Sequence, residues 1–331
     1  MSPPLLTGLL RDVSRSFYLT LRVLPRPIRP PIGVAYLLAR AADTIADTAV
    51  VSVERRLEAL TRFRARVAGR DRQPLDLGPL AQHQGLPAER QLFERLEEAL
   101  NLLERCAPDD QQRVRTVLEI ITGGQQLDLI RFAGASAAQP AALETEADLD
   151  DYTYRVAGCV GEFWTRTCRT HLFPQAPLDD AELLGQAVRF GKGLQWVNVL
   201  RDLPADLRQG RCYLPQDRLA ALGLRPLDLL DPANEPRLRP FYDECLAVAR
   251  RHLIAGWHYT NTLPRSQVRV RLACAWPILI GGATLARLAE GEVLRPDRRI
   301  KVSRAEVRRW IWRSLINYPW PGRWRRLFPG A

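Results

Sequence analysis

Four aspartates stand in two pairs, each pair accompanied by amide or guanidinium groups at helical spacing. The first run is Tyr36-Leu-Leu-Ala-Arg40-Ala-Ala-Asp43-Thr-Ile-Ala-Asp47. Successive helical residues rotate by about 100°, which places Tyr36, Arg40, Asp43 and Asp47 within about 60° of one another. Their neighbours Leu37, Leu38, Ala41 and Ala42 are apolar. A polar stripe set into apolar residues is costly unless something satisfies it. Two carboxylates one turn apart also repel, and a divalent cation relieves that repulsion; hard oxygen donors suit Mg²⁺. In the second run Gln195, Asn198, Asp202 and Asp206 again share one face, about 80° wide if the helix continues. Pro204 has no N–H and is expected to bend the helix before Asp206. One D-x-x-x-D is a common solvated pattern. Two of them, each on an otherwise apolar face, point to a metal-bound diphosphate and to ionisation of its leaving group. Facing each other across a bundle, they would line one cavity.

The elements that must hold these groups read as helices. Helical periodicity covers residues 31–48, 53–69, 90–106, 110–132, 150–170, 180–202, 240–262, 268–290 and 303–316, whereas alternating β-branched runs are missing. Loops are expected at 70–89, 133–148, 207–239 and 291–299, where proline and glycine gather. The fold class expected is all-α, a single-domain helical bundle. The chain has 331 residues with 46% hydrophobic and 26% charged, the composition of a soluble globular protein. The uncharged stretch between Arg271 and Arg287 is too short for a bilayer, and no secretory signal is expected. Six scattered cysteines form no C-x-x-C, and four histidines form no H-E-x-x-H, which argues against zinc chemistry and fits a reducing cytoplasm. Gly191-Lys-Gly193 is not a nucleotide loop, because no strand precedes it.

The net charge of +11 is concentrated late: from Arg295 onward there are eleven basic and two acidic residues. Trp310, Trp312, Trp320, Trp324 and Phe328 are interleaved with them. Snorkelling arginines and interfacial indoles suit an anionic membrane surface. The expectation is a cytoplasmic monomer touching the inner face of the cell membrane through this tail, with no nucleic-acid partner.

Four ordered blocks resemble the squalene/phytoene synthase family: Ser14-Arg15-Ser16-Phe17, the Arg40–Asp47 run, Tyr152-Thr-Tyr154-Arg-Val-Ala-Gly158-Cys-Val-Gly161-Glu162, and Gln195–Asp206 followed by Gly210-Arg211-Cys-Tyr213-Leu-Pro215. Arg271-Leu-Ala-Cys274-Ala-Trp-Pro277 and Ile300-Lys301-Val-Ser-Arg304 resemble the squalene synthase branch. The resemblance implies an isoprenoid synthase domain over residues 1–305 with a central cavity, and a basic Trp-rich helix or tail over 306–331. It implies that two farnesyl diphosphates condense to presqualene diphosphate, which NADPH then reduces to squalene. Under that resemblance Asp43, Asp47, Asp202 and Asp206 hold Mg²⁺, and Tyr152 handles the proton at the departing diphosphate. Arg15, Phe17, Tyr36, Arg40, Gln195, Asn198 and Arg201 border the substrate, and Arg211, Lys301 and Arg304 meet the NADPH phosphates. Relatives that stop at presqualene diphosphate or hydroxysqualene, that form dehydrosqualene or phytoene, or that act as non-catalytic assembly factors are the alternatives. Many squalene synthases carry a further acid where this chain has Ala46 and Ala205, leaving fewer spare ligands here.

Overall fold

Prolines open the helix that carries the first acid pair. Pro30 and Pro31 occupy its first turn, where a missing N–H costs nothing and the fixed φ is already helical. In the computed structural model, which describes residues 8–14, 18–297 and 300–328, this helix, α1, spans Arg29–Asp47. Among the helices that follow are α2 (Val53–Val67), α3 (Leu96–Glu104), α4 (Pro108–Arg131), α5 (Glu146–Thr153), α6 (Cys159–Leu172), α7 (Asp180–Arg208), α8 (Glu235–Thr262), α9 (Val268–Glu290), α10 (Arg304–Asn317) and α11 (Pro321–Arg325). Among the described residues the only strands are β1 (Ala141–Ala142) and β2 (Arg211–Cys212), paired in parallel. The all-α expectation is met. The expected helix over 90–106 is two helices, Pro87–Glu94 and α3, interrupted at Arg95.

Two compact units make up the chain. One runs through Ile130 and includes Phe163–Ala176; the other comprises Arg131–Glu162 and the residues from Pro177 onward. In the first unit α1 packs on α2 and α3. Leu37, Leu38, Ala41, Ala42 and Ile45 are wholly buried, each large aliphatic contributing about 1.5–3 kcal/mol of apolar transfer. The buried Arg56 of α2 donates from Nη1 to Ala46 O at 2.7 Å, satisfying a carbonyl that the end of α1 would otherwise leave open.

In the second unit α7 is the central element, packed along α8 and a π-helical turn at Tyr154–Gly158 and also against α9. Asp179 caps its start by accepting from Ala181 N and Glu182 N. Glycines permit close crossings. A Cβ on Gly161 would lie 2.1 Å from Ala187 O, and one on Gly191 would lie 2.1 Å from Ala157 O. The Gly191-Lys-Gly193 run therefore serves helix packing inside α7. The expected straight helix over 150–170 is instead α5, a π-helical turn at Tyr154–Gly158, and α6. π turns of this kind gather at functional sites.

α9 is long and apolar enough to cross a membrane by length and composition, but 61% of its most apolar window is buried within the protein. The C-terminal tail divides in two. Trp324, Leu327 and Phe328 are 2–4% exposed. Trp324 stacks on Trp257 of α8 with centroids 5.3 Å apart, and its Nε1 donates to Asn261 Oδ1 at 2.9 Å. This half of the tail belongs to the core of the second unit.

Candidate active site

The stripe expected on α1 is its accessible face. Tyr36 and Arg40 are half-buried and Asp43 and Asp47 exposed, while Leu37, Leu38, Ala41, Ala42, Thr44, Ile45 and Ala46 are buried. Ala46 lies on the buried side of the helix. Asp43 Oδ1 accepts from Gln125 Nε2 of α4 at 2.5 Å. Arg40 Nη1 lies 3.9 Å from Asp43 Oδ2, but the guanidinium's short hydrogen bond goes to Glu89. The Asp43 carboxyl is pushed up to about 6, first by burial and then by the Asp47 charge, against the opposing pull of Arg40 and Gln125. Its side chain is 51% accessible, while the protein packed around the carboxyl disfavours its charged form.

The donor chemistry on α1 fits a hard divalent cation. Asp43 and Asp47 supply two carboxylates, the number with which Mg²⁺ is commonly held when water and substrate phosphate complete its shell. Gln125 Oε1 beside them is buried without a hydrogen-bond partner and is a neutral oxygen of the type the ion accepts. Among the described residues no group of three or more His, Cys, Asp or Glu side chains converges. The protein therefore offers a partial shell rather than a closed cage.

α7 presents the second stripe in a different state. It continues through Pro204 to Arg208, so the expected effect of Pro204 does not end the helix before Asp206. Pro204 cannot donate to Leu200 O, and the buried Tyr242 hydroxyl of α8 donates to that carbonyl at 2.9 Å instead. Gln195, Asn198, Asp202 and Asp206 thus share one helix and are all half-buried. Asp202 is already matched: Arg201 Nε donates to its Oδ1 at 3.0 Å and Nη2 to its Oδ2.

A relay leads from this helix to α5. Asn198 Nδ2 donates to Gln195 Oε1 at 3.2 Å, which orients Gln195 Nε2 to donate to Tyr152 Oη at 3.1 Å. Tyr152 is 8% exposed and its ring stacks on Tyr213 with centroids 4.3 Å apart. Tyr213 is placed by the chain reversal after α7. Gly210 has φ +83°, and a Cβ there would meet Ser136 N at 2.4 Å; β2 then pairs with β1. Tyr154, in the π turn, donates to Glu162 Oε1 at 3.1 Å.

Arg211 lies on β2, whereas Lys301 and Arg304 flank the start of α10. There Ser303 and Glu306 form a capping box, and Arg287 of α9 clamps both Glu306 oxygens at 2.6 Å. Lys301 and Arg304 are exposed and suit a nucleotide phosphate by charge. Arg15 and Phe17 fall outside the described residues. Gln125, Glu89 and Tyr213 are the site neighbours that spacing alone missed. Gln125 carried one signal, a pair of adjacent amides following Gly123-Gly124 within the helical segment.

A family model described as squalene/phytoene synthase matches residues 10–306. The presqualene diphosphate synthase of Zymomonas mobilis is 29% identical over 76% of this chain and 73% of its own length. The squalene synthase of Schizosaccharomyces pombe is 27% identical over 84% of this chain, which spans 58% of that relative. Among solved structures, the complex of TcSQS with the ligand E5700 superposes with a TM-score of 0.76 at 24% identity, covering 93% of this chain and 84% of that one. With the acid stripes, the tyrosine relay and the all-α architecture in place, these matches show that the chain belongs to the squalene/phytoene synthase family of head-to-head isoprenoid synthases.

Proposed function

We propose that this protein is a squalene synthase, joining two farnesyl diphosphates through presqualene diphosphate and reducing that intermediate with NADPH. The observation that supports it most is the accessible acid stripe of α1, with Asp43 held near 6 on a helix otherwise buried. The pairs Asp43–Asp47 and Asp202–Asp206 would each hold a Mg²⁺-bound diphosphate. When bound, the ion neutralises carboxylate and diphosphate charge together and so favours departure of the leaving group. Arg40 and Arg201 add positive charge beside each acid pair. Tyr152, fixed by Gln195 and stacked on Tyr213, keeps its hydroxyl at one position to exchange a proton with the departing diphosphate. Arg211, Lys301 and Arg304 bind the phosphates of NADPH.

Incubation with farnesyl diphosphate and Mg²⁺, with and without NADPH, followed by identification of the lipid, tests this reading. Squalene formed only with NADPH is the expected result. Presqualene diphosphate in both reactions, or hydroxysqualene, dehydrosqualene or phytoene, assigns the chain to one of the other chemistries of its family. No turnover at all leaves the non-catalytic reading.

The peripheral membrane contact is proposed for one face of α10 and its end, not for the whole tail. Trp312, Leu315, Ile316 and Trp320 are 42–64% exposed, with Arg313 over the Trp310 ring and Arg323 over the Trp320 ring. Deleting residues from 317 onward would strip Trp324 and Phe328 from the core, so Trp312→Ser with Ile316→Ser is the informative change. Unchanged binding to anionic vesicles in that variant would refute the contact.

A further inference from the structure

A buried arginine stands near the start of α9 without a carboxylate partner. Arg271 is 4% exposed. Its Nη2 donates to Asn261 Oδ1 at 2.9 Å and its Nη1 to Leu263 O at 3.3 Å; both acceptors are neutral. Its Nε is buried with no hydrogen-bond partner. The guanidinium carbon lies 5.6 Å from the ring centroids of both Tyr318 and Trp324, a favourable but incomplete compensation. The position is adverse for a cation, because the N-terminal end of a helix is its positive end. Arg265 and Arg325 stand beside it. Burial holds Arg271 below its ordinary value; Tyr318 opposes that, while Arg265 and Arg325 push the same way as burial. A buried charge left without a counter-charge is among the most costly features a fold can carry.

These groups surround a cavity of about 60 Å³ lined by Asn261, Arg265, Arg271, Tyr318, Trp324 and Arg325, and among the described residues that line it there is no Asp or Glu. One water needs about 10–15 Å³ of such space, so a tetrahedral oxyanion has room. We propose that this cavity is an oxyanion site that takes a phosphate or phosphate-ester group between Arg265, Arg271 and Arg325. Guanidinium forks match such oxygens in pairs, and the bound anion supplies the counter-charge that Arg271 lacks. The walls are preset: Tyr318 Oη donates to Arg265 O at 2.7 Å, and Arg265 Nη2 donates to Pro319 O at 3.2 Å. The site is separate from the residues proposed for NADPH. Lys301 O is held by Arg287, which lies roughly 24 Å along α9 from Arg271 at 1.5 Å per residue. The inference does not rest on the proposed synthase reaction.

The test is calorimetric titration of the full chain with inorganic phosphate in EDTA, so that no metal-dependent diphosphate binding contributes. The same titration is made with the double variant Arg265→Gln/Arg325→Gln, whose side chains are exposed, and with Asp43→Asn. Arg271 itself is left intact because its removal would open the core. Saturable binding is expected in the wild type and in Asp43→Asn, with affinity weakened by about tenfold or more in the double variant. A second arm compares co-sedimentation with phosphatidic acid and with phosphatidylcholine vesicles. Preference for phosphatidic acid that free phosphate competes away identifies a lipid headgroup as the occupant; phosphate binding without vesicle preference identifies a soluble anion. Neither phosphate binding nor vesicle preference, affinity unchanged in the double variant, or binding lost in Asp43→Asn instead would overturn the proposal.

Discussion

The two acid-bearing helices repeat one spacing in opposite electrostatic states. On α1, Asp43 is crowded, faces Asp47 and is pushed up to about 6, while the nearest guanidinium is committed to Glu89. On α7, Asp202 is clamped through both oxygens by Arg201. A cation would relieve the repulsion in the first pair, whereas Asp202 already has one in Arg201. Identical i,i+4 acids therefore do not imply identical readiness, because what decides it is the commitment of the neighbouring base.

The largest expected effect is on turnover. Asp43→Asn is expected to lower condensation of farnesyl diphosphate on the order of 10³-fold or more, as loss of a principal electrostatic stabiliser does. The thermal midpoint should hold or rise, because a crowded charge facing Asp47 is removed. A midpoint that falls by many degrees would erase the contrast between the helices. Asp202→Asn should also lower turnover, but with loss of stability of about 1–3 kcal/mol, since the half-buried Arg201 loses its charged partner and one of its two acceptor oxygens. Chemical denaturation of both variants side by side measures the difference. Tyr242→Phe strips Leu200 O of the donor that replaces Pro204, and about 1–3 kcal/mol should be lost there as well, with weaker Mg²⁺ binding if Asp206 is displaced.

The pH dependence sharpens the comparison. The Asp43 carboxyl holds its proton more tightly folded (about 6) than at its ordinary value of 3.8. Metal-free stability contributed by this group therefore falls as pH rises from 3.8 to about 6, and is level above. His252 does the reverse. Burial first, then Arg189 and Lys192, lower it from 6.5 to about 4, so its contribution rises across that interval. Subtracting the Asp43→Asn profile from that of the wild type isolates the falling component, and its absence would refute the crowded-acid description of α1. The smallest effect is assigned to Gln125→Leu. It removes a hydrogen bond that favours the Asp43 anion, so the carboxyl should titrate still higher, with turnover at neutral pH reduced less than about tenfold.

Much of this was legible from spacing. The α1 stripe follows from 3.6-residue periodicity against Leu37, Leu38, Ala41 and Ala42, and the second stripe from Gln195 to Asp206 by the same rule. What was not legible depends on partners distant in sequence. Pro204 leaves Leu200 O without its helical donor, and only packing shows that Tyr242 supplies one. Gly161 and Gly191 read as permissive until Ala187 is placed against the first and Ala157 against the second, and their close approach accompanies the π turn. Glu89 and Gln125 are ordinary polar residues in sequence; only packing brings them to Arg40 and Asp43. Trp324 and Phe328 share their composition with Trp312 and Trp320, and no local pattern separates the buried pair from the exposed one.

That last division bears on how the polypeptide matures during synthesis. Trp257 emerges from the ribosome well before Trp324, so α8 must wait with an indole face uncovered until its stacking partner is translated. Throughout that interval the nascent chain displays a sticky aromatic groove to chaperones and proteases. Tags or fusions appended close behind Phe328 would be expected to lengthen that exposure and lower the yield of folded protein, even when every residue proposed for chemistry is untouched.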